Sequence, residues 1–218
     1  MRVAASEFNL GVGETYFAAM DNELLQLFET QRGHFRLESG HHGDLWLEVP
    51  LAYFRPARMR PHARRLARML LAHRIEAVCG PLVEGAFLGQ MVAEELDVEF
   101  CFAEQFPQPS KDGLFPVCYR VPASLRSRIR SKRVAVVDDA INAGSAARGA
   151  IEDLKACGAQ LVAIGALLRL GDRAADLARA EAAPLVTLMR MESGTLWSPA
   201  ACPLCRAGTP LDDRRGTQ

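Results

Sequence analysis

Neither sign of charge prevails in this 218-residue chain, which carries 26 Lys and Arg against 26 Asp and Glu. Proteins that grip nucleic acid through its phosphates are normally clearly basic, so no nucleic-acid partner is expected. Long apolar runs are missing too, and no stretch could cross a bilayer. Residues Met1 to Phe8 lack the apolar stretch of a secretory leader. No membrane partner is expected, and the expected location is cytoplasmic. There is no internal repeat and no low-complexity tract. A disulfide framework is also lacking: the six cysteines are scattered, and Cys79 and Cys101 border apolar, strand-like runs. That usage suits reduced thiols in a cytoplasm.

What is present is enough apolar material, 49% of residues, to bury a sizeable core. The length suits one domain with a small appendage. The spacing predicts a first helix over Asp21 to Gln31, then a strand-like stretch Gly33 to Gly40 and a partner strand Asp44 to Val49. Arg58 to His73 reads as a helix with Leu66, Met69, Leu70 and His73 on one face. Ile75–Cys79, Val98–Phe102, Val134–Val137, Leu161–Leu168 and Leu185–Met189 read as strands. Ala86–Leu96, Ser145–Cys157 and Asp172–Ala182 read as the helices between them, with Gly158 as a stop. Phe106 to Pro122, rich in proline, reads as a long loop or hairpin. Apolar strands alternating with helices imply a parallel sheet covered on both faces. Ligands then sit beyond the carboxyl ends of the strands, where loops 80–85, 104–120 and 138–145 fall.

The strongest chemical signal is Val134-Ala135-Val136-Val137-Asp138-Asp139-Ala140-Ile141-Asn142-Ala143-Gly144-Ser145. A buried strand delivers two carboxylates into a loop of small residues that becomes a helix. Small side chains let backbone N–H groups approach an anion, and the helix start adds partial positive charge. The blander reading is a strand–turn–helix with an acidic turn capped by Ser145. The whole string resembles the phosphoribosyl pyrophosphate (PRPP) motif of type I phosphoribosyltransferases. Its continuation, Ala143-Gly144-Ser145-Ala146-Ala147-Arg148, is similar to the form found in orotate phosphoribosyltransferases. The resemblance implies that Asp138 and Asp139 face the ribose and, through substrate and water, a Mg2+ ion. It implies that Ala140, Ile141, Asn142, Ala143, Gly144, Ser145 and Ala146 wrap the PRPP phosphate, and that Arg148 faces the base. Asn142 stands where the family usually has threonine.

Gly33-His34-Phe35-Arg36-Leu37-Glu38-Ser39-Gly40 is similar to the N-terminal segment of the same family, which implies that Phe35 lies near the base. His41 and His42 follow; adjacent strand residues point to opposite sides, and both are expected to be solvated. Cys79-Gly80-Pro81-Leu82-Val83-Glu84-Gly85 holds the position of the family's pyrophosphate loop, with Gly80 and Pro81 as PRPP contacts and Glu84 where lysine is common. The family's Arg-Lys loop is represented by Phe102-Ala103-Glu104-Gln105, which leaves Lys111 as the catalytic cation and Arg120 as a further candidate. The basic stretch Arg126 to Arg133 reads as a solvated linker. Trp197 to Gly208 contains Cys202-Pro203-Leu204-Cys205, read as a structural tail, half of a shared metal site, or a redox pair.

The resemblance covers about residues 20 to 210. It implies an α/β type I phosphoribosyltransferase fold with a five-stranded, mostly parallel sheet flanked by helices. A small N-terminal hood (1–50), a core (51–192) and a Cys-x-x-Cys tail (193–218) would form one domain. It implies a Mg2+-dependent pentosyltransferase that moves phosphoribosyl from PRPP to orotate, working as a homodimer. A non-catalytic PRPP or nucleotide sensor, a transferase for another base, and an assembly role for the Cys-x-x-Cys tail remain open.

Overall fold

The computed structural model describes residues 22–110, 112–192 and 195–214. Its main sheet has six strands in the order β5-β4-β3-β6-β7-β8. In chain order these are β3 (Ala77–Pro81), β4 (Glu99–Pro107), β5 (Val117–Arg120), β6 (Arg133–Ile141), β7 (Gln160–Leu170) and β8 (Leu185–Met191). All neighbours pair parallel except β4 and β5, whose pairing is antiparallel. The sheet gains its sixth strand over the expected five because the proline-rich segment returns on itself, pairing Glu104 with Arg120.

Two-residue alternation explains why both faces of the central strands are apolar. Ala135 and Val137 of β6 pack into one core layer with α2 (Pro56–Leu70) and α3 (Glu84–Leu96). Val134 and Val136 pack into the opposite layer with α5 (Ser145–Ala156) and α6 (Arg173–Ala180). In α2, Met59, Ala63, Leu66, Ala67 and Leu70 are buried, the spacing of one helix face. Truncating Leu66, fully buried, to Ala would cost about 2–5 kcal/mol. Pro56 opens α2, where its missing N–H has no helical partner to lose.

A smaller antiparallel sheet stands apart, ordered β1-β2-β9. It contains β1 (Glu29–Arg36), β2 (His42–Glu48) and β9 (Leu196–Trp197), followed by the short α7 (Pro203–Arg206). A short helix, α1 (Val49–Tyr53), links β2 to α2. The tail returns to β1: Asp212 donates its N–H to the His34 carbonyl at 2.7 Å, and Arg36 N–H donates to the Asp212 carbonyl at 2.9 Å.

Two further expectations change here. Of the helix foreseen over Asp21 to Gln31, Asp21 lies outside the described residues and helical turns cover only 22–25. Glu29 onward is strand, because pairing with β2 (Glu29 opposite Glu48) and burial of Leu24, Leu27 and Phe28 override local periodicity. The basic stretch is not a loose linker. Residues Ala123–Ile129 form α4, and Arg126 donates to both Asp153 carboxylate oxygens at 2.6 and 2.7 Å.

Candidate active site at the carboxyl ends of the sheet

A cavity of about 240 Å³ opens beyond β3 and β6. One wall is the β6–α5 connection from Asp138 to Ala146; another is Pro81 to Gly85; the roof is Leu37 to Ser39 with Trp46 from the small sheet. These are the loops that a parallel sheet gathers at its ligand-binding end.

β6 continues through both acids to Ile141, so Asp138 and Asp139 are held by strand backbone and each is only 8% exposed. Asp138 Oδ1 accepts the Asp139 N–H at 3.1 Å. Burial and then the neighbouring Asp139 charge push the Asp138 carboxyl well above the usual carboxylate range. Burial, followed by the Glu84 charge, pushes Asp139 up to about 7. Glu84 therefore faces the acids electrostatically and lines the cavity.

Past Ile141 the chain turns through Gly144 at φ 77°, a left-handed conformation that favours glycine, and starts α5 at Ser145. The first intrahelical bond runs from Arg148 N–H to the Gly144 carbonyl at 3.0 Å. The N–H groups just before it have no helical partner and carry the positive end of the helix dipole. Asn142 Oδ1 is buried there without a hydrogen-bond partner. Across the cavity, a Cβ on Gly80 would lie 2.3 Å from the Gly85 carbonyl oxygen, and one on Gly85 would lie 2.6 Å from Asp138 Oδ1. The β3–α3 loop can approach the acids only because both positions are glycine. The Leu82–Val83 peptide in this loop is cis.

Two residues given no role in the sequence reading complete the site. Glu38 reaches down from the roof and accepts the Ser145 hydroxyl at 3.1 Å and the Tyr119 hydroxyl at 3.0 Å on both oxygens. Burial and the facing Glu38 carboxylate push the Tyr119 phenol well above its usual range, so it remains a donor. Glu38 lies within a motif that the sequence does expose, but only the fold brings it against Ser145, 107 positions away. Glu38, Glu84, Asp138 and Asp139 make the lining strongly acidic, and no Lys or Arg lines it among the described residues. Buried carboxylate oxygens that repel one another are a hard donor set, which fits Mg2+.

The other expected site residues separate. Residues 138–146 and Pro81 line the cavity, and Gly80 sits directly behind Gly85. Arg148 is on the exposed face of α5, its guanidinium carbon 5.2 Å above the Phe115 ring, and it does not line the cavity. Phe35 is also outside the lining: it is buried against Trp46, ring centroids 5.8 Å apart, with Arg214 over its face at 5.2 Å. Arg120 is exposed and lies over Phe106 at 5.4 Å. Lys111 lies outside the described residues. His41 and His42 are 3% and 4% exposed rather than solvated. Both are covered: His41, just before β2, reaches Ser39 Oγ at 3.1 Å and Arg173 at 3.3 Å, and His42, the first residue of β2, reaches His34 at 3.1 Å.

Residues 53–189 match the phosphoribosyl transferase domain family. Among the chain's relatives, the orotate phosphoribosyltransferase of Thermus thermophilus is 30% identical over 182 residues, covering 83% of this chain and 91% of that protein. That of Caldanaerobacter subterraneus is 27% identical over 193 residues, covering 87% and 94%. A phosphoribosyltransferase from Corynebacterium diphtheriae shares the fold with a TM-score of 0.62 at 15% identity, covering 82% of this chain and 97% of that one. The orotate phosphoribosyltransferase from Aeropyrum pernix does so with 0.59 at 20% identity, covering 78% and 93%. With this family match and a mostly parallel sheet beneath the acidic β6 strand end, the chain belongs to the phosphoribosyltransferase family, an α/β enzyme family of the pentosyltransferase class.

Proposed function

We propose that this chain transfers the phosphoribosyl group of PRPP to orotate, forming orotidine 5′-monophosphate and releasing pyrophosphate. The observation that carries this reading is the continuous run from β6 into α5: two buried carboxylates, a small-residue turn and an open helix start, in that order. The helix start suits the 5′-phosphate, since backbone N–H groups and the dipole favour an anion there. The unpaired Asn142 Oδ1 can accept a hydroxyl of the sugar or a water beside it. Asp138 and Asp139 face the ribose. As the C1′–oxygen bond to pyrophosphate breaks and the bond to the base nitrogen forms, that nitrogen giving up its proton to solvent, positive charge grows on the sugar ring, and fixed carboxylates stabilise it without reorganising. Glu84, Asp138 and Asp139 would hold Mg2+, largely through substrate and water; when bound, that ion neutralises charge on the pyrophosphate leaving group. Lys111 is the candidate for a second cation over the leaving group. Exposed Phe54 and Phe87, 83% and 46% accessible, suit a homodimer contact.

One further reading has its own support. The acidic lining and the Glu38–Ser145 bond, which occupies a phosphate-side hydroxyl, favour a protein that binds PRPP or a nucleotide without turning it over. The absence of Arg148 from the cavity lining also favours a base other than orotate. Following orotate absorbance with PRPP and Mg2+, beside the Asp138→Asn, Asp139→Asn double variant, separates these. Consumption that disappears in the double variant is the expected result. No consumption while calorimetry still detects PRPP binding would replace transfer to orotate with the sensor or another base.

A further inference from the structure

Away from the cavity, the cysteines of the tail meet the histidines of the small sheet. Cys202 is the N-cap of α7 and Cys205 lies within it; His34 comes from β1 and His42 from the strand paired with it. One ligand atom from each of the four side chains lies within 4.8 Å of all the others. His34 Nε2 is 3.1 Å from His42 Nδ1, 3.4 Å from Cys202 Sγ and 3.7 Å from Cys205 Sγ; His42 Nδ1 is 3.2 Å from Cys205 Sγ.

These separations have the size of the edges of a zinc tetrahedron. With Zn–N near 2.0–2.1 Å and Zn–S near 2.3 Å, tetrahedral geometry gives N···N of about 3.3 Å and N···S of about 3.6 Å. The surroundings also prepare the ligands. The His34 Nδ1 lies 2.9 Å from the Thr209 carbonyl oxygen, which can only accept, so Nδ1 carries the proton and Nε2 turns its lone pair inward. A second hydrogen bond of this kind is what normally orients a metal-bound imidazole. His34, His42 and Cys202 are 3%, 4% and 0% exposed, and Cys205 sits at the rim. Two thiolates and a dication would leave the buried cluster neutral.

We propose that His34, His42, Cys202 and Cys205 form a closed, structural Zn2+ site that fastens the C-terminal tail to the β1–β2 sheet. All four positions are protein ligands, so the site has no open coordination for substrate; its role is to hold the fold. Binding releases the thiol protons to solvent and involves no redox change. The pair Cys202–Cys205 supplies half of the ligands, and the sheet supplies the half that the tail sequence lacks.

The test uses the full chain, purified under reducing conditions without added chelator. Elemental analysis should find one zinc per chain, and X-ray absorption should report two sulfur and two nitrogen neighbours. Cys205→Ser and His42→Ala should each lose at least tenfold in zinc retained after dialysis against a chelator. Because either variant could misfold, a second measurement uses wild type alone. Chelated protein titrated with Co2+ should develop the intense visible bands of a tetrahedral site and a thiolate-to-cobalt charge-transfer band, and its melting temperature should recover. Wild type free of metal that develops no such bands would overturn the proposal. So would zinc retained undiminished in Cys205→Ser, or a Cys202–Cys205 disulfide in the freshly purified chain.

Discussion

At the scale of single residues, the acids of the cavity oppose the stability of the fold. Asp139 titrates near 7 in the folded chain against 3.8 ordinarily. Below about pH 4 both folded and unfolded chains hold this proton. As pH rises toward 7 the unfolded chain releases it while the folded chain keeps it, so stability falls across that window, and above it the loss is complete. Asp139→Asn removes the effect. The variant should melt higher than wild type at pH 8, by about 5 °C or more, with the gain shrinking toward pH 4. If Asp139 faces the ribose as proposed, the variant's turnover should fall at least a hundredfold, because that carboxylate is gone. Saturating Mg2+ should raise the melting temperature of wild type at pH 8 and leave the Asp138→Asn, Asp139→Asn double variant nearly unmoved. Thermal melts at pH 5 and pH 8, with and without Mg2+, check the two stability predictions, and the orotate assay checks turnover; an equal gain at both pH values would mean that the Asp139 charge is not its source.

At the scale of elements, the β3–α3 loop is positioned by what its glycines leave out. A methyl at Gly80 would meet only backbone, the Gly85 carbonyl oxygen at 2.3 Å and Ala86 Cα at 2.6 Å, so the first turn of α3 must move. Gly80→Ala should therefore cost about 1–3 kcal/mol in a urea titration and lower turnover, since Gly85 touches Asp138. Elements of this kind were readable in advance. Continuous apolar runs marked β3, β6 and β7, and the small-residue turn marked the start of α5, because those signals are local. Glu29 to Gln31 misread as helix, because what makes them strand is pairing with Glu48 and Trp46, about 15–20 positions on. The site divides in the same way. Asp138 to Ala146 were legible as one string. Glu38, Tyr119 and the His34–His42–Cys202–Cys205 cluster were not, since their partners lie up to 171 positions apart. Arg148 and Phe35 carry the motif's residue types, yet their side chains leave the cavity for Phe115 and Trp46.

At the scale of the whole molecule, the two sheets meet across the cavity, and Glu38 is a hydrogen-bonded link between them that lies inside it. It ties the small sheet's roof to Tyr119 of β5 and to Ser145 at the start of α5. This link has two opposite effects. It holds the roof in place, and it sets a negative charge beside the helix start that suits a phosphate. A carboxylate at about 6 Å from a phosphate costs on the order of 1–3 kcal/mol even at a protein-like dielectric constant of about 20. Glu38→Gln keeps a side chain of the same shape and an oxygen that can still accept from Tyr119, while removing the charge. Ribose 5-phosphate should then bind about five- to tenfold tighter by calorimetry in the absence of Mg2+. The gain should shrink with Mg2+ present, because the cation already offsets the carboxylate. The melting temperature should change by no more than a few degrees, since the hydrogen bond to Tyr119 survives. Weaker binding in Glu38→Gln would reverse the assignment, making Glu38 an acceptor for ligand hydroxyls rather than a charge that the phosphate must displace.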